Sequence, residues 1–464
     1  VANEQATDQQ AIEDARDGLP ISPDVIRACF AAAMSEMYRR EVPLYGTLLD
    51  IVAAVNRRTL DADPALRDRI EAEGGMERLS VERHGAIRLG TAEELATCRR
   101  LFAVMGMEPV GYYDLSVAGV PVHSTAFRPV TVQALSRCPF RIFTSLLRLE
   151  LIEDNALRAE AEAILARRRI FSPALLDLLD TAEAGGGLTE AQAERFVNEA
   201  LETFRWHPDT TVSRETYERL NAAHRLIADV VCFRGPHINH LTPRTLDIDA
   251  VQAEMIARGI PAKAVIEGPP RRACPILLRQ TSFTALEEQV AFQAADGRSV
   301  PGSHTARFGE VEQRGVALTP AGRALYDRLL DEARGADPAD YAATLERAFA
   351  AFPDDLETLR GEGLAYFRYL GRPHHRVPHY ATLDDLVQSG AVTAVPLTYE
   401  DFLPVSAAGI FQSNLGGGAR THYAAEASRS AFETALGTSV ADETAIYAAQ
   451  QAASLRTIGI DGPG

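Results

Sequence analysis

Val81-Glu-Arg-His84-Gly-Ala-Ile-Arg88 and, far downstream, His237-Ile-Asn-His240-Leu-Thr-Pro-Arg244 share a pattern. In each, a His is followed four residues on by an Arg, and each His stands seven residues before a helix-opening residue, Thr91 in one case and Asp247 in the other. The surroundings repeat as well. After the first stretch, Thr91-Ala-Glu-Glu94 is a capping box that opens a helix to about Met105, and strand-like runs follow at Val110 to Leu115 and Val120 to Phe127, with room for one more. After the second, a helix starting at Asp247 carries Ala250, Val251 and Met255 on one face. Strand-like runs then come at Ala264 to Ile266, Pro275 to Leu278, Gln289 to Phe292 and, at greater length, Thr305 to Val316. Two copies of a βαβββ unit, each with a His on its first strand, imply a pseudo-two-fold arrangement that brings both imidazoles towards one axis.

Outward from the repeat the chain divides into residues 1–80, a helical lead-in; 81–139, the first unit; 140–235, a helical insertion; 236–318, the second unit; and 319–464, a helical and mixed region expected to close on the site. The lead-in begins at Ser22-Pro23, an N-cap and first-turn pair, with Ile26, Phe30, Met34 and Met37 at helical spacing. The insertion carries a second capping box, Thr189-Glu-Ala-Gln192, and the run Arg167-Arg168-Arg169, read as a solvated helix end.

A formal charge of −17 over 464 residues argues against nucleic acid as a partner, and no apolar stretch is long enough to span a membrane. Five scattered cysteines without a Cys-x-x-Cys pair argue against a disulfide framework or a thiolate zinc site. The first twenty residues are acidic and lack the basic and apolar regions of a secretory signal, so the expected location is cytoplasmic. The oligomeric state is left open.

Neutral imidazole is a common metal ligand, and a third ligand would complete one face of an ion. The run Thr305 to Val316 offers it. Strand period puts Phe308, Glu310, Glu312 and Arg314 on one face, so periodicity alone leaves both Glu310 and Glu312 as candidates. Phe308-Gly-Glu310-Val-Glu-Gln-Arg314 resembles the Phe-x-Glu-Ile-Ile-Gln-Arg strand of 4-hydroxyphenylpyruvate dioxygenases, in which the Glu at the Glu310 position binds iron; Glu312 stands where that family has Ile. Those enzymes belong to the vicinal oxygen chelate superfamily. The resemblance implies an α+β fold, a vicinal oxygen chelate-like core of two βαβββ units around a central metal, here with large helical insertions.

A closer resemblance covers nearly the whole chain. Val81 to Arg88, Pro121-Val-His-Ser-Thr-Ala-Phe-Arg128, His237 to Asp249 and Asp401-Phe-Leu-Pro-Val405-Ser-Ala-Ala-Gly-Ile-Phe-Gln-Ser-Asn-Leu415 are similar to the bacterial 2-oxoadipate dioxygenase/decarboxylase family. That resemblance implies that His84, His240 and Glu310 bind Fe(II), that His84 and Arg88 meet the substrate with Arg88 gripping a carboxylate, and that Val405 and Ser406 close on it. It further implies conversion of 2-oxoadipate and O2 to D-2-hydroxyglutarate and CO2, in lysine catabolism. Two His and one carboxylate on one face of Fe(II) leave three positions open, enough for a bidentate 2-oxo acid and O2.

Other residues carry weaker expectations. Arg244 matches Arg88 in the second unit, although Pro243 disturbs a regular strand there; His123 is either a donor behind the ligands or a packed strand residue. His237 would face away from His240, and His374, His375 and His379 sit in a loop-like stretch expected to face solvent. Two other readings stand beside the oxygenase. One is a glyoxalase-type isomerase or lyase acting on a small oxo acid without O2, whose sites usually hold four protein ligands; the other is a non-catalytic metal- or anion-binding module. At −17, an even charge distribution would repel a dianionic substrate, so the site must be a local positive exception made by the iron and Arg88, with Arg244 a further candidate.

Overall fold

In this computed structural model the described residues are 18–73, 75–294, 296, 298–333, 340–372, 382–403 and 428–460. Two long helices come first, α1 (Pro23–Glu41) and α2 (Pro43–Ala62). The apolar positions Ile26, Phe30, Met34 and Met37 are buried, as the spacing predicts. Two polar side chains tie these helices to residues that flank the strands of the second unit. Tyr38 donates its hydroxyl to the carbonyls of Asn239 (3.0 Å) and Phe308 (2.7 Å), and Asn56 accepts from the Leu246 amide (2.8 Å) while donating to the Arg244 carbonyl (3.2 Å).

The first unit is β1 (Arg83–Leu89), α3 (Ala92–Val104), β2 (Glu108–Asp114), β3 (Val122–Arg128) and β4 (Arg141–Leu147). Its strands lie in the order β2-β3-β4-β1, with β1 and β4 parallel and the other neighbours antiparallel. The fourth strand falls inside the stretch expected to be helical. It is buried along its whole length, so Ile142-Phe143-Thr144-Ser145-Leu146-Leu147 shows none of the alternation that marks a half-exposed strand. The sheet separates two apolar cores: Ile87, Leu89, Ile142 and Leu146 face the lead-in helices, whereas Ala86 and Phe143 face the other way. By strand period His84, Ala86 and Arg88 share that second face.

Helices fill residues 155–231 of the insertion. The capping box at Thr189 and Gln192 forms, and Thr91 caps α3 by accepting from the Glu94 amide. The Glu94 carboxylate, however, reaches back to the Gly90 amide (2.7 Å) and pairs with Arg168 (2.6 and 2.8 Å). Arg168 is thus buried and joins the insertion to the first unit, which corrects its reading as part of a solvated helix end.

The second unit starts on β5 (Leu241–Pro243), where the proline keeps the strand short and His240 stands immediately before it. Asp247 caps α5 (Ile248–Ala257; the short helix Arg225–Val231 that closes the insertion is α4), and β6 (Leu278–Ser282), β7 (Glu287–Gln293), β8 (Ser299–Thr305) and β9 (Glu310–Arg314) follow. The long strand expected over Thr305 to Val316 is broken between β8 and β9, because β7 and β8 leave the sheet as a separate hairpin. At the break Gly309 lies against the Phe283 ring, where a Cβ would come within 1.8 Å.

β1 and β5 pair antiparallel, with His84 opposite Thr242. On either side the relations mirror one another. β5 meets β9 in a parallel bridge, Arg244 to Glu312, as β1 meets β4; β6 is antiparallel to β9, as β3 is to β4; and Glu267 bridges antiparallel to Gln280, as β2 does to β3. The pseudo-two-fold axis therefore runs between β1 and β5. Beyond β9 the chain adds a hairpin of β10 (Phe367–Gly371) and β11 (Val392–Pro396) and a helix, Glu443–Thr457. None of the described helices is long and apolar enough to cross a membrane, and all five cysteines are free thiols.

Candidate metal centre

His84 and His240, brought to the axis by β1 and the start of β5, stand edge to face with ring centroids 5.4 Å apart. Glu310, the first residue of β9, meets both: its Oε1 is 3.2 Å from His84 Nε2 and 3.7 Å from His240 Nε2. One ligand atom from each residue lies within 4.8 Å of the others, and among the described residues no further His, Cys, Asp and Glu grouping has this geometry. Thr242 Oγ1 and Gln280 Nε2 each donate to the same Glu310 oxygen at 3.0 Å, fixing the carboxylate.

The electrostatics suit a cation. Burial depresses the His240 pKa to about 4, so this imidazole is neutral and its lone pair available, and its buried Nδ1 has no hydrogen-bond partner. Burial works against the charged form of His84 too, but Glu312 and Glu310 hold that ring above its usual pKa. Glu310 stays below the usual carboxylate range despite burial, through His240, His84 and the Thr242 hydroxyl. Two imidazoles and one carboxylate on one side, with a cavity on the other, fit Fe(II) by the chemistry of the donors.

Glu312 sits two residues along the same face, but behind the ligands. Its Oε2 lies 2.9 Å from His84 Nδ1, and Arg314 clasps the carboxylate at 2.8 and 2.9 Å. Fully buried, it is held at about 2 against desolvation, chiefly by Arg314 and His84. The two candidate carboxylates thus contact opposite nitrogens of one imidazole, and only Glu310 also approaches His240 at the centre. A carboxylate behind a ligating His fixes ring orientation and raises basicity. Further back, Glu82 bonds Arg141 (2.8 Å) and Arg244 (3.1 Å), and Glu400 bonds Arg78 (2.8 Å) and Arg141. This buried belt was not legible in the sequence, since its members come from scattered elements, Arg78 and Glu82 alone standing at helical spacing.

The strand registers explain why three candidate ligands gather and not four. Arg88 faces Ser145 across β1 and β4, and its counterpart Arg244 faces Glu312 across β5 and β9. Stepping back two residues, Phe143 occupies in the first unit the place that Glu310 occupies in the second. An apolar ring stands where symmetry would put a fourth donor. Phe143 packs on Phe402 (5.2 Å), which also lies edge-on to His84 (4.9 Å).

A cavity of about 580 Å³ opens on this face, and Arg88, Ser145, Asp229, Lys263 and Phe402 line it beside the ligands. Arg88 is partly exposed into it and donates from Nη1 to Asp229 Oδ2 at 2.6 Å. The other expected residues are placed elsewhere. Arg244 is buried on Glu82 and lines a separate cavity of about 540 Å³, whose arginines include Arg314 and Arg279, both committed to carboxylates. Pro243 ends β5 and the belt takes the Arg244 side chain, away from the cavity beside His84 and Glu310. His123 packs against Phe432 (4.7 Å), with Nδ1 3.4 Å from the Tyr112 hydroxyl and a pKa lowered to about 4 by burial, and does not line the cavity. His237 is buried, 3.2 Å from Asp229. Val405, Ser406, His374, His375 and His379 lie outside the described residues.

The family profile described as 2-oxoadipate dioxygenase/decarboxylase matches residues 30–414. A 2-oxoadipate dioxygenase/decarboxylase of Pseudomonas putida is 59% identical over 456 residues, covering 94% of this chain and 96% of the relative; one of Escherichia coli is 57% identical over 448 residues, covering 95% and 99%. The crystal structure of the P. putida hydroxyglutarate synthase in complex with 2-oxoadipate superposes with a TM-score of 0.88 at 58% identity, over 94% of this chain and 98% of that one. The chain belongs to the 2-oxoadipate dioxygenase/decarboxylase family.

Proposed function

We propose that this protein is an Fe(II)-dependent dioxygenase/decarboxylase that converts 2-oxoadipate and O2 to D-2-hydroxyglutarate and CO2, as a step of lysine catabolism. The observation that carries the reading is the three-ligand face of His84, His240 and Glu310, with Phe143 in the fourth position, opening on a cavity that also holds Arg88. The relatives' names support the substrate. A glyoxalase-type reaction, which usually employs four protein ligands, is disfavoured by Phe143.

Fe(II) held there would supply open positions for a bidentate 2-oxo acid and for O2, and with them the redox chemistry of oxidative decarboxylation. The chain's own residues do the rest. Thr242 and Gln280 fix the Glu310 carboxylate by donating to it, and Glu312 holds the His84 ring from the far nitrogen. Arg88 stands four residues along β1 from His84, roughly 13 Å between Cα atoms at a strand's rise. That separation suits the far carboxylate of a six-carbon dicarboxylate whose oxo-acid end meets the metal. A guanidinium takes that carboxylate through two parallel hydrogen bonds. Phe143 and Phe402 give the reacting end an apolar wall. The chain's excess negative charge makes the metal and Arg88 the local positive exception that admits a dianion.

The test is isotopic. Reaction of the Fe(II)-loaded protein with 2-oxoadipate under ¹⁸O2 should put one labelled atom in the new carboxylate and one in the hydroxyl of 2-hydroxyglutarate, and none in CO2. An unlabelled hydroxyl, or product formed without O2, contradicts the assignment.

A further inference from the structure

We propose that Asp229, backed by His304 and Tyr217, is the positioning residue that holds Arg88 for the far carboxylate of the substrate and so sets the preference for a dicarboxylate. The inference rests on the substrate reading above.

Asp229 comes from α4, at the end of the helical insertion, and is buried at the floor of the cavity. Its Oδ2 accepts from Arg88 Nη1 at 2.6 Å, while its Oδ1 lies 3.0 Å from His304 Nε2 and 3.2 Å from His237 Nε2. His304 in turn contacts the Tyr217 hydroxyl through Nδ1 at 2.9 Å. Trp206 lies edge-on to His237 (4.7 Å between centroids) and parallel to His304 (6.2 Å), so neither imidazole can swing away freely. The carboxylate is therefore over-determined by residues from the insertion, the approach to β5 and the β7–β8 hairpin.

Arg88 is committed on one side only. Among the described residues its sole hydrogen-bond partner is Asp229, which takes Nη1 and leaves the rest of the fork to the cavity. An arginine carries considerable rotamer freedom, and pinning one nitrogen before substrate arrives removes an ordering cost from binding. A buried carboxylate beside a carboxylate-binding arginine is otherwise a poor arrangement, because it lowers the net positive charge offered to a dianion. Its gain is geometric: a fixed plane favours a bidentate carboxylate over a neutral chain end.

Steady-state kinetics with 2-oxoadipate and with 2-oxohexanoate, which lacks the far carboxylate, test this. Asp229→Asn should lower kcat/KM for 2-oxoadipate about tenfold, mainly through KM, and leave 2-oxohexanoate within about twofold. Arg88→Ala should erase the preference, and adding Asp229→Asn to it should cost little more. Tyr217→Phe, a milder change at the far end of the contacts, should shift the ratio in the same direction. Lys263, the only lysine in the chain, lines the same cavity. Its ¹³C-methylated side chain therefore reports 2-oxoadipate binding anaerobically, and the Asp229 variant should need a higher concentration for the same signal change. Equal losses for both substrates would mark a merely structural role and overturn the proposal, as would an unchanged ratio in both Asp229→Asn and Tyr217→Phe. If the wild-type protein neither binds nor prefers 2-oxoadipate, the substrate reading fails and takes this inference with it. If Arg88→Ala erases the preference while Asp229→Asn keeps it, the inference alone fails.

Discussion

In the first unit β1 and β4 set Arg88 beside Ser145; in the second, β5 and β9 set Arg244 beside Glu312 by the same parallel relation. One backbone plan thus carries two side-chain programmes. The second unit gives the centre two candidate ligands, His240 and Glu310, and turns its arginine into a buried belt with Glu82. The first gives one ligand, His84, replaces the other with Phe143, and leaves its arginine facing the cavity. A symmetric pair would hold an ion with four donors. In the proposed reaction, that asymmetry would leave room for the oxo acid and O2.

The largest expected effect comes from removing the second unit's carboxylate. Glu310→Ala should abolish Fe(II) binding in equilibrium dialysis and turnover with it, whereas Glu312→Ala should keep the metal with affinity about 10–100-fold weaker. The reverse pattern would show that the wrong carboxylate stands at the centre. Restoring symmetry is the next test. Phe143→Glu should supply a fourth donor, tighten divalent-metal binding and lower oxygen-dependent turnover by about two orders of magnitude or more, because an open position is lost. Unchanged turnover would break the link between the missing donor and the chemistry.

The paired arginines should then separate cleanly. Arg244→Ala takes one of several arginines from buried Glu82, which keeps Arg141 and Arg78, and should cost about 1–3 kcal/mol in denaturant unfolding. Arg88→Lys should leave unfolding nearly unchanged but raise KM for 2-oxoadipate about tenfold, since a point charge cannot reproduce the fork. Smallest is the effect of the metal on stability: chelation should lower the thermal midpoint by a few degrees, following about 2.7 kcal/mol for an ion present at a hundredfold its Kd. The Glu310→Ala protein should show no such shift.

That His84, His240 and Glu310 would come together was legible because they repeat or sit in tight runs: the two histidines stand at equal distances before Thr91 and Asp247, and Glu310 lies in a distinctive strand. Choosing Glu310 over Glu312 needed resemblance, since both share a face; the structure separates them by which nitrogen of His84 each meets. β4 was hidden because burial on both sides removes periodicity. Asp229, Glu82 and Arg141 were invisible for another reason. Most of their partners lie far off in sequence, and a buried carboxylate or arginine looks like any surface charge until its neighbours are known. Arg168 was misread on the same ground.

Oxygen uptake on adding Fe(II) and 2-oxoadipate to the metal-free protein separates an oxygenase from a site that only binds metal. The wild type should consume one O2 per CO2 released, and Glu310→Ala none above background. Wild-type uptake no greater than background, or decarboxylation that proceeds equally in the absence of O2, would contradict the oxygenase reading.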